Sequence, residues 1–300
     1  MSELTHAPGL EVAARSSVLR RVREVWRYRE LLANLVRKEL RVKYKNSTLG
    51  FFGALLNPAL YLGVFYVVFE LFLQAGIPDF PIFLLAGLLP WNLFATSLGA
   101  ATQSIVGNAS LVGKVWFPRE VLPLAAVGAA LVHFFLQGSV LLAALVAFRY
   151  APAWEYLPVA VLALLVLTVL AAALGIGLGA LNVPLRDTSH LLELALLAWF
   201  WVTPIVYQYR LVGDRIGPWL LLNPMTPVVL AFQRAIYGRV EGAGGSDRLG
   251  EAEVSAGILP DEPILWYLGS VAVLGVVAVV LLVGAMWLFG RLEGDFAEEL

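Results

Sequence analysis

The chain is 300 residues long, 60% hydrophobic and only 14% charged, with a mean hydropathy of +0.79 and a formal net charge of −1. A soluble domain carries about 25% charged residues; this chain has too little polar material to cover a water-facing surface, and its long uncharged windows place it in the membrane class. The absence of cysteine excludes disulfides, thiolate metal sites and thiol nucleophiles, and three histidines without a paired motif leave little for metal chemistry. The near-neutral balance hides an asymmetry, because eleven of the 21 Lys and Arg precede Ser47. A basic block of this kind suits nucleic acid, but beside so apolar a remainder it fits anionic lipid or a cytoplasmic partner better, with no nucleic acid.

Residues 1–22 read as a cytoplasmic tail. The first 30 residues are polar and charged, without the short basic region and apolar core of a signal peptide. From 23 to 48 an amphipathic interface helix is expected. Trp26, Leu32, Leu35, Val36 and Leu40 recur at spacings of three and four, while Arg37, Lys38, Arg41 and Lys45 mark a different side. Such a helix lies in the interface plane with its apolar side down, and Trp26 and Tyr28 suit headgroup depth. It serves either as a topology anchor or as a docking surface for a cytoplasmic partner.

Residues 49–294 hold six expected spans in an all-α, polytopic arrangement. Leu49–Phe72, Phe80 to about Ala101, Val121–Phe148, Leu157–Leu181 and Ile264–Gly290 each reach the ~20 residues that a helix needs to cross hydrocarbon. Leu191–Tyr207, broken by Glu193 and Pro204, completes the six. Between them, 216–234 is apolar but interrupted by Pro218, Pro224 and Pro227. Each proline removes a backbone donor and clashes with the preceding turn, so this stretch reads as external re-entrant or interface-lying short helices packed against protein. Residues 238–262 are glycine-rich and acidic, an external loop, and 295–300 form a second cytoplasmic tail. With both termini inside, 15 Lys and Arg fall in inner segments and six outside, the bias expected of that orientation. Were 217–236 to cross instead, the last helix would invert.

The inner loop "GNASLVGKVWFPREVLPLA" starts at Gly107. Asn108 or Ser110 is placed to cap a brief helix through Lys114, Pro118 to end it, and Glu120 to open the next span near its positive end. A turn with an interfacial anchor is the plainer reading. Glu70 and Glu193 lie near span ends, close enough to reach water. Arg186-Asp187 is either a solvated local pair or a partner contact. Gly175 and Gly179 form a GxxxG pattern that permits close helix approach. Aromatic residues cluster at Tyr61, Phe65, Tyr66 and Phe69, at Trp91 and Phe94, and at Trp199, Phe200, Trp201 and Tyr207. Flat rings stack on sugars, and they also pack cores and mark bilayer edges. No G-x-x-x-x-G-K-[ST], G-x-S-x-G or HExxH occurs, so the chain carries neither the phosphate loop of an ATPase nor those hydrolase motifs.

Four stretches are similar to the permease subunits of type 2 ABC exporters for polysaccharides, whose members export O-antigen, teichoic acid and other cell-wall glycans. The first matches at Lys43, Tyr44, Ser47, Leu49, Gly50, Asn57 and Pro58. "LVGKVWFPREVLPLA" resembles the second signature at Leu111, Lys114, Phe117, Pro118, Arg119, Glu120, Leu122 and Pro123. The third matches at Asn182, Arg186, Asp187, Pro204, Ile205 and Tyr207, and the fourth at Asn223, Pro224 and Arg234. The likeness covers about residues 25–294.

This resemblance implies a transmembrane channel of two copies, each bound to a separate nucleotide-binding ABC ATPase subunit, so that two ATPase copies hold the ATP and Mg while this chain holds no cofactor and no metal and is no enzyme by itself. It implies a bacterial inner-membrane location and a lipid diphosphate-linked glycan as cargo. Arg27, Arg37, Lys38 and Arg41 would form a cytoplasmic gate that meets the anionic lipid head, since guanidinium and ammonium groups pair with phosphate oxygens. Residues 107–116 would be the coupling helix that receives the ATPase stroke, with Asn108, Ser110, Leu111, Lys114, Arg119 and Glu120 at that contact. Tyr61, Phe65, Tyr66, Phe69, Trp91, Phe94, Trp199, Trp201 and Tyr207 would line the glycan path. Two other readings share the plan: a type 2 permease for a drug or small lipid, and a membrane scaffold that transports nothing.

Overall fold

The computed structural model of the chain describes residues 18–44, 79–147, 149–209, 219–238, 258–294 and 296–299, with 60, 63–64, 67–68, 72, 77, 212 and 217. Among these residues all regular structure is helical: α1 (Val18–Arg27), α2 (Arg29–Tyr44), α3 (Phe80–Gln103), α4 (Ala109–Val112), α5 (Val121–Ala147), α6 (Leu157–Leu181), α7 (Thr188–Val202), α8 (Met225–Ile236), α9 (Ile264–Leu292) and α10 (Phe296–Glu299). Short 3-10 turns precede α4 and α6. The expected first span, with Glu70, lies outside the described residues apart from isolated positions.

Among the described residues four helices are long and apolar enough to cross a bilayer: α3 with 24 residues, α5 with 27, α6 with 25 and α9 with 29. At 1.5 Å per residue these run roughly 36–44 Å, beyond the ~30 Å of hydrocarbon. α7 is shorter, at 15 residues. Its C-cap Thr203 is extended, φ −93° and ψ 134°, the form that a following proline imposes. The expected span 191–207 is therefore helical only as far as Val202. α8, with 12 residues, is shorter still, and eleven of them are buried. Its backbone lies inside protein, the condition that non-spanning backbone needs at membrane depth.

α3 is the hub, with α5, α6, α7 and α8 packed around it and α9 laid along α6. Phe83, Phe94 and Leu98 of α3 are fully buried. The GxxxG face of α6 meets α3: a Cβ added at Gly175 would stand 2.7 Å from the Ala101 Cβ, and one at Gly179 would stand 3.0 Å from the Ala101 carbonyl. The outward faces are broad and apolar, as Leu191, Leu194 and Leu197 of α7 and Val273, Val276 and Val280 of α9 are all exposed. Exposed apolar faces of this kind belong against lipid or protein and not in water.

Candidate functional site

A second hydrophobic core lies at one end of the bundle, separate from the main one. Leu35 of α2 joins Ile105, Val112, Phe117, Val121 and Leu122 of the 105–122 region, Ala180 and Val183 at the end of α6, and Phe289 and Phe296 at the C-terminal end. α1 and α2 are almost one helix, because the Leu32 N–H still reaches the Tyr28 carbonyl at 3.0 Å. The helix begins at Val18, ahead of the expected residue 23. The inward stripe of α2 is Leu31, Leu32, Leu35 and Val36, and it faces α5, where a Cβ added at Gly128 would sit 2.9 Å from Val36 Cγ2. So the apolar side of the amphipathic helix lies on this chain's own helices, and Arg37, Lys38 and Arg41 are left exposed.

The expected gate and coupling residues meet at one point. Lys38 Nζ donates to Asn108 Oδ1 at 2.6 Å, and Asn108 Nδ2 donates to the Ser104 carbonyl at 2.8 Å. Asn108 stands at the head of α4 but makes no side-chain cap there, because its amide is already engaged on both sides. α4 ends at Val112, with Gly113 as C-cap, so the brief helix stops before Lys114 and well before Pro118; glycine is a poor helix residue. Tyr28 holds the following turn, edge to face with Trp116 at 6.4 Å. Ser110, Lys114 and Trp116 are exposed and Leu111 is half-buried. Arg27 is exposed on α1, and Arg37 Nη1 donates to Asn34 Oδ1 at 3.2 Å.

Arg119 and Glu120 point the other way. Glu120 is 1% exposed and pairs with the buried Arg21 of α1, which also bonds Glu293 at 3.0 Å. Arg119 donates to the Glu293 carbonyl at 2.8 Å. Burial, with Glu293 nearby, lifts the Glu120 carboxyl above its ordinary range, and the Arg21 guanidinium offsets this only in part. Burial opposes the charge on Arg21 too, but the two carboxylates outweigh it and raise its value. The partners do not mirror each other because Arg21 faces two anions, whereas Glu120 faces one cation and one anion. Sequence reasoning missed Arg21 and Phe296 by assigning residues 1–22 and 295–300 to tails, and it gave no role to Glu293 at the end of the 49–294 region. The usable signal was Arg21 falling on the same helical stripe as Val25, Tyr28 and Leu32.

The aromatic residues divide. Trp91 and Phe94 are buried in the main core, Phe94 edge to face with Trp199 at 5.2 Å and Trp91 with Phe200 at 5.6 Å. Trp201 is exposed and Tyr207 half-buried. Tyr61, Phe65, Tyr66 and Phe69 lie outside the described residues. Asn223 ties this group to α8: it accepts from Trp199 Nε1 at 2.7 Å and from the Met225 N–H at 3.0 Å, and donates to Thr203 Oγ1 at 2.9 Å. Arg186 donates to the Glu299 carbonyl at 3.4 Å. Among the described residues no His, Asp or Glu cluster could hold a metal ion.

Residues 30–237 match the ABC-2 type transporter family. The chain is 34% identical over 287 residues to the O-antigen export system permease protein RfbA of Myxococcus xanthus, covering 94% of this chain and all of that one. It is 28% identical to the RfbA of Klebsiella pneumoniae, over 70% of this chain and 82% of that one. The polysialic acid transport protein KpsM of Escherichia coli is 22% identical, over 66% of this chain and 78% of its own length. The family match spans more than half of the chain, and it takes in both the basic helix and the loop joined to it by Lys38 and Asn108: this chain belongs to the ABC-2 type transporter family.

Proposed function

We propose that this chain is the transmembrane permease subunit of an ATP-driven exporter that moves lipid-linked polysaccharide across the bacterial inner membrane. The observation that carries this reading is its likeness over 94% of its length to an O-antigen export permease, at 34% identity. Polysaccharide transport is also what the polysialic acid relative is named for.

In this reading two copies enclose the path, and each engages one copy of a separate ATPase that binds ATP and Mg. Six spans cross the membrane, 49–72 and 191–207 among them, with 216–234 re-entrant on the outer side, 238–262 an external loop and both termini cytoplasmic. The segment 107–116 receives the stroke through the exposed Ser110 and Lys114, and passes it to the gate helix through Asn108 and Lys38. Arg37 and Arg41 are exposed on the same helix as Lys38, and Arg27 is exposed about three turns earlier on α1, all three open to the diphosphate of the lipid carrier. Among the described residues none of the three forms an ion pair, which supports a ligand role. Of the expected path residues in the described part, Trp201 is exposed and Tyr207 half-buried, which leaves their rings open to sugar stacking. Trp91, Phe94 and Trp199 would reach the path only after their shared cluster opens.

Deleting the gene from its host while precursor synthesis continues tests this reading. Lipid-linked glycan should accumulate on the cytoplasmic side and surface glycan should disappear, both restored by the wild-type chain. Normal surface glycan in the deletion strain refutes the cargo. Complementation with Arg37→Glu and Arg41→Glu together should restore chain abundance but not export.

A further inference from the structure

Three segments far apart in sequence meet on one guanidinium. Arg21 Nη1 donates to Glu120 and, at 3.0 Å, to Glu293 Oε2; the Arg21 side chain is 7% exposed and that of Glu120 2%. Beside it, Arg119 bonds the Glu293 carbonyl at 2.8 Å and stands 5.8 Å over the ring of Phe296, which packs edge to face on Phe289. Both charged side chains of the turn 117–120 are thus turned towards the two ends of the chain and not towards a cytoplasmic partner. Gly290 leaves room for this, since a Cβ there would lie 2.9 Å from the Arg21 guanidinium.

A buried ion pair adds little stability beyond that of apolar residues of the same shape. What it adds here is geometry, as one nitrogen shared by two carboxylates fixes α1, the turn 117–120 and the inner end of α9 relative to one another. We propose that Arg21 is a positioning residue of the transport cycle: by holding Glu120 and Glu293 together it makes α1, the turn 117–120 and α9 move as one body when the 107–116 segment is displaced. The proposal rests on the reading of 107–116 as the segment that receives the ATPase stroke.

The test uses the full-length chain with its ATPase in proteoliposomes. The chain has no native cysteine, so a single Leu222→Cys, at an exposed position before α8, is its one thiol, and its labelling is read on the band of this chain after separation from the ATPase. Two quantities are read: the ATP-dependent change in its labelling rate, which needs no cargo, and glycan moved per ATP. Arg21→Gln should abolish the labelling response and lower glycan per ATP about tenfold, the scale of a lost coupling energy, with basal hydrolysis within about twofold. Arg21→Lys, which keeps the charge, should respond at an intermediate level. The exchange Arg21→Glu with Glu120→Arg again places a cation between two carboxylates, and should recover the response that Arg21→Glu alone loses. A wild-type labelling response in Arg21→Gln overturns the proposal, and so does reduced abundance with unchanged glycan per ATP, the mark of a purely structural pair. Where Arg21→Gln does not accumulate, an unchanged response in Arg21→Lys overturns it equally. A wild-type complex that moves no glycan refutes the functional reading, while the labelling response still decides the role of Arg21.

Discussion

The Arg21–Glu120–Glu293 group shows how one residue's environment sets its chemistry. Glu120 is buried beside a second carboxylate, so its folded value lies above the unfolded one. A raised carboxyl binds its proton more tightly in the folded state; the stability it contributes is present at low pH and lost as pH climbs from the ordinary value near 4.5 through the raised one. Measured against Glu120→Gln, which cannot ionise, wild type should therefore lose melting temperature over that rise and then level off. A difference that stays flat or grows contradicts the burial argument. Gly290→Ala should lower stability by about 1–3 kcal/mol, because its methyl enters the guanidinium's space. Gly284→Ala on the same helix, with nothing within 4 Å of the added atom, should be neutral or gain about 0.5–1 kcal/mol from helix propensity. Thermal unfolding in detergent separates the two. Sequence reading found Glu120 and Arg119 as special but set them facing a partner. Periodicity cannot tell which way a turn directs its side chains, and the residues they meet lie about 100 and 170 positions away, a separation that no local pattern spans.

At the scale of elements, the long helices were legible because length and lack of charge suffice to mark them. α6 runs from Leu157 to Leu181, as its hydropathy predicts, and α3, α5 and α9 agree within a few residues. The contact through Gly175 and Gly179 was legible as a close approach, though not as an approach to Ala101. Gly175→Leu should abolish that packing and lower chain abundance well below Gly63→Leu, whose added Cβ meets nothing within 4 Å; equal abundance would remove the α3–α6 seam from the account. The amphipathic helix was legible in its stripe but not in its support. Its apolar side rests on α5, as the tight approach of Gly128 and Val36 records. Val36→Cys with Gly128→Cys should therefore cross-link under mild oxidation, whereas a helix free in the lipid interface would leave both thiols reduced. α7 departs most from expectation, because Pro204 holds Thr203 extended and ends the helix early. Asn223 then replaces the missing turn with side-chain bonds to Trp199 and Thr203. Asn223→Ala should cost about 1–3 kcal/mol by leaving those donors and acceptors unpaired.

At the scale of the molecule, the two larger cores divide the labour. The main core holds the bundle around α3 and includes α8, and the smaller one gathers the basic helix, the 105–122 region and the C-terminal end into one body. A chain that needed only to sit in a bilayer would have no use for the second core, since a few positive residues before the first span would fix its orientation. In the proposed reading a permease worked by an external motor needs a stiff receiving surface joined to its helices, and the Lys38–Asn108 bond and the Arg21 group would serve as such joins. The cargo is legible only through kinship, because stacking rings and packing rings look alike in sequence. The most direct measurement is translocation of lipid-linked glycan in proteoliposomes holding the purified chain, with and without its ATPase and ATP. The account predicts movement only when chain, ATPase and ATP are all present. Movement by the chain alone, or ATP hydrolysis by the full complex with no glycan moved, would contradict it.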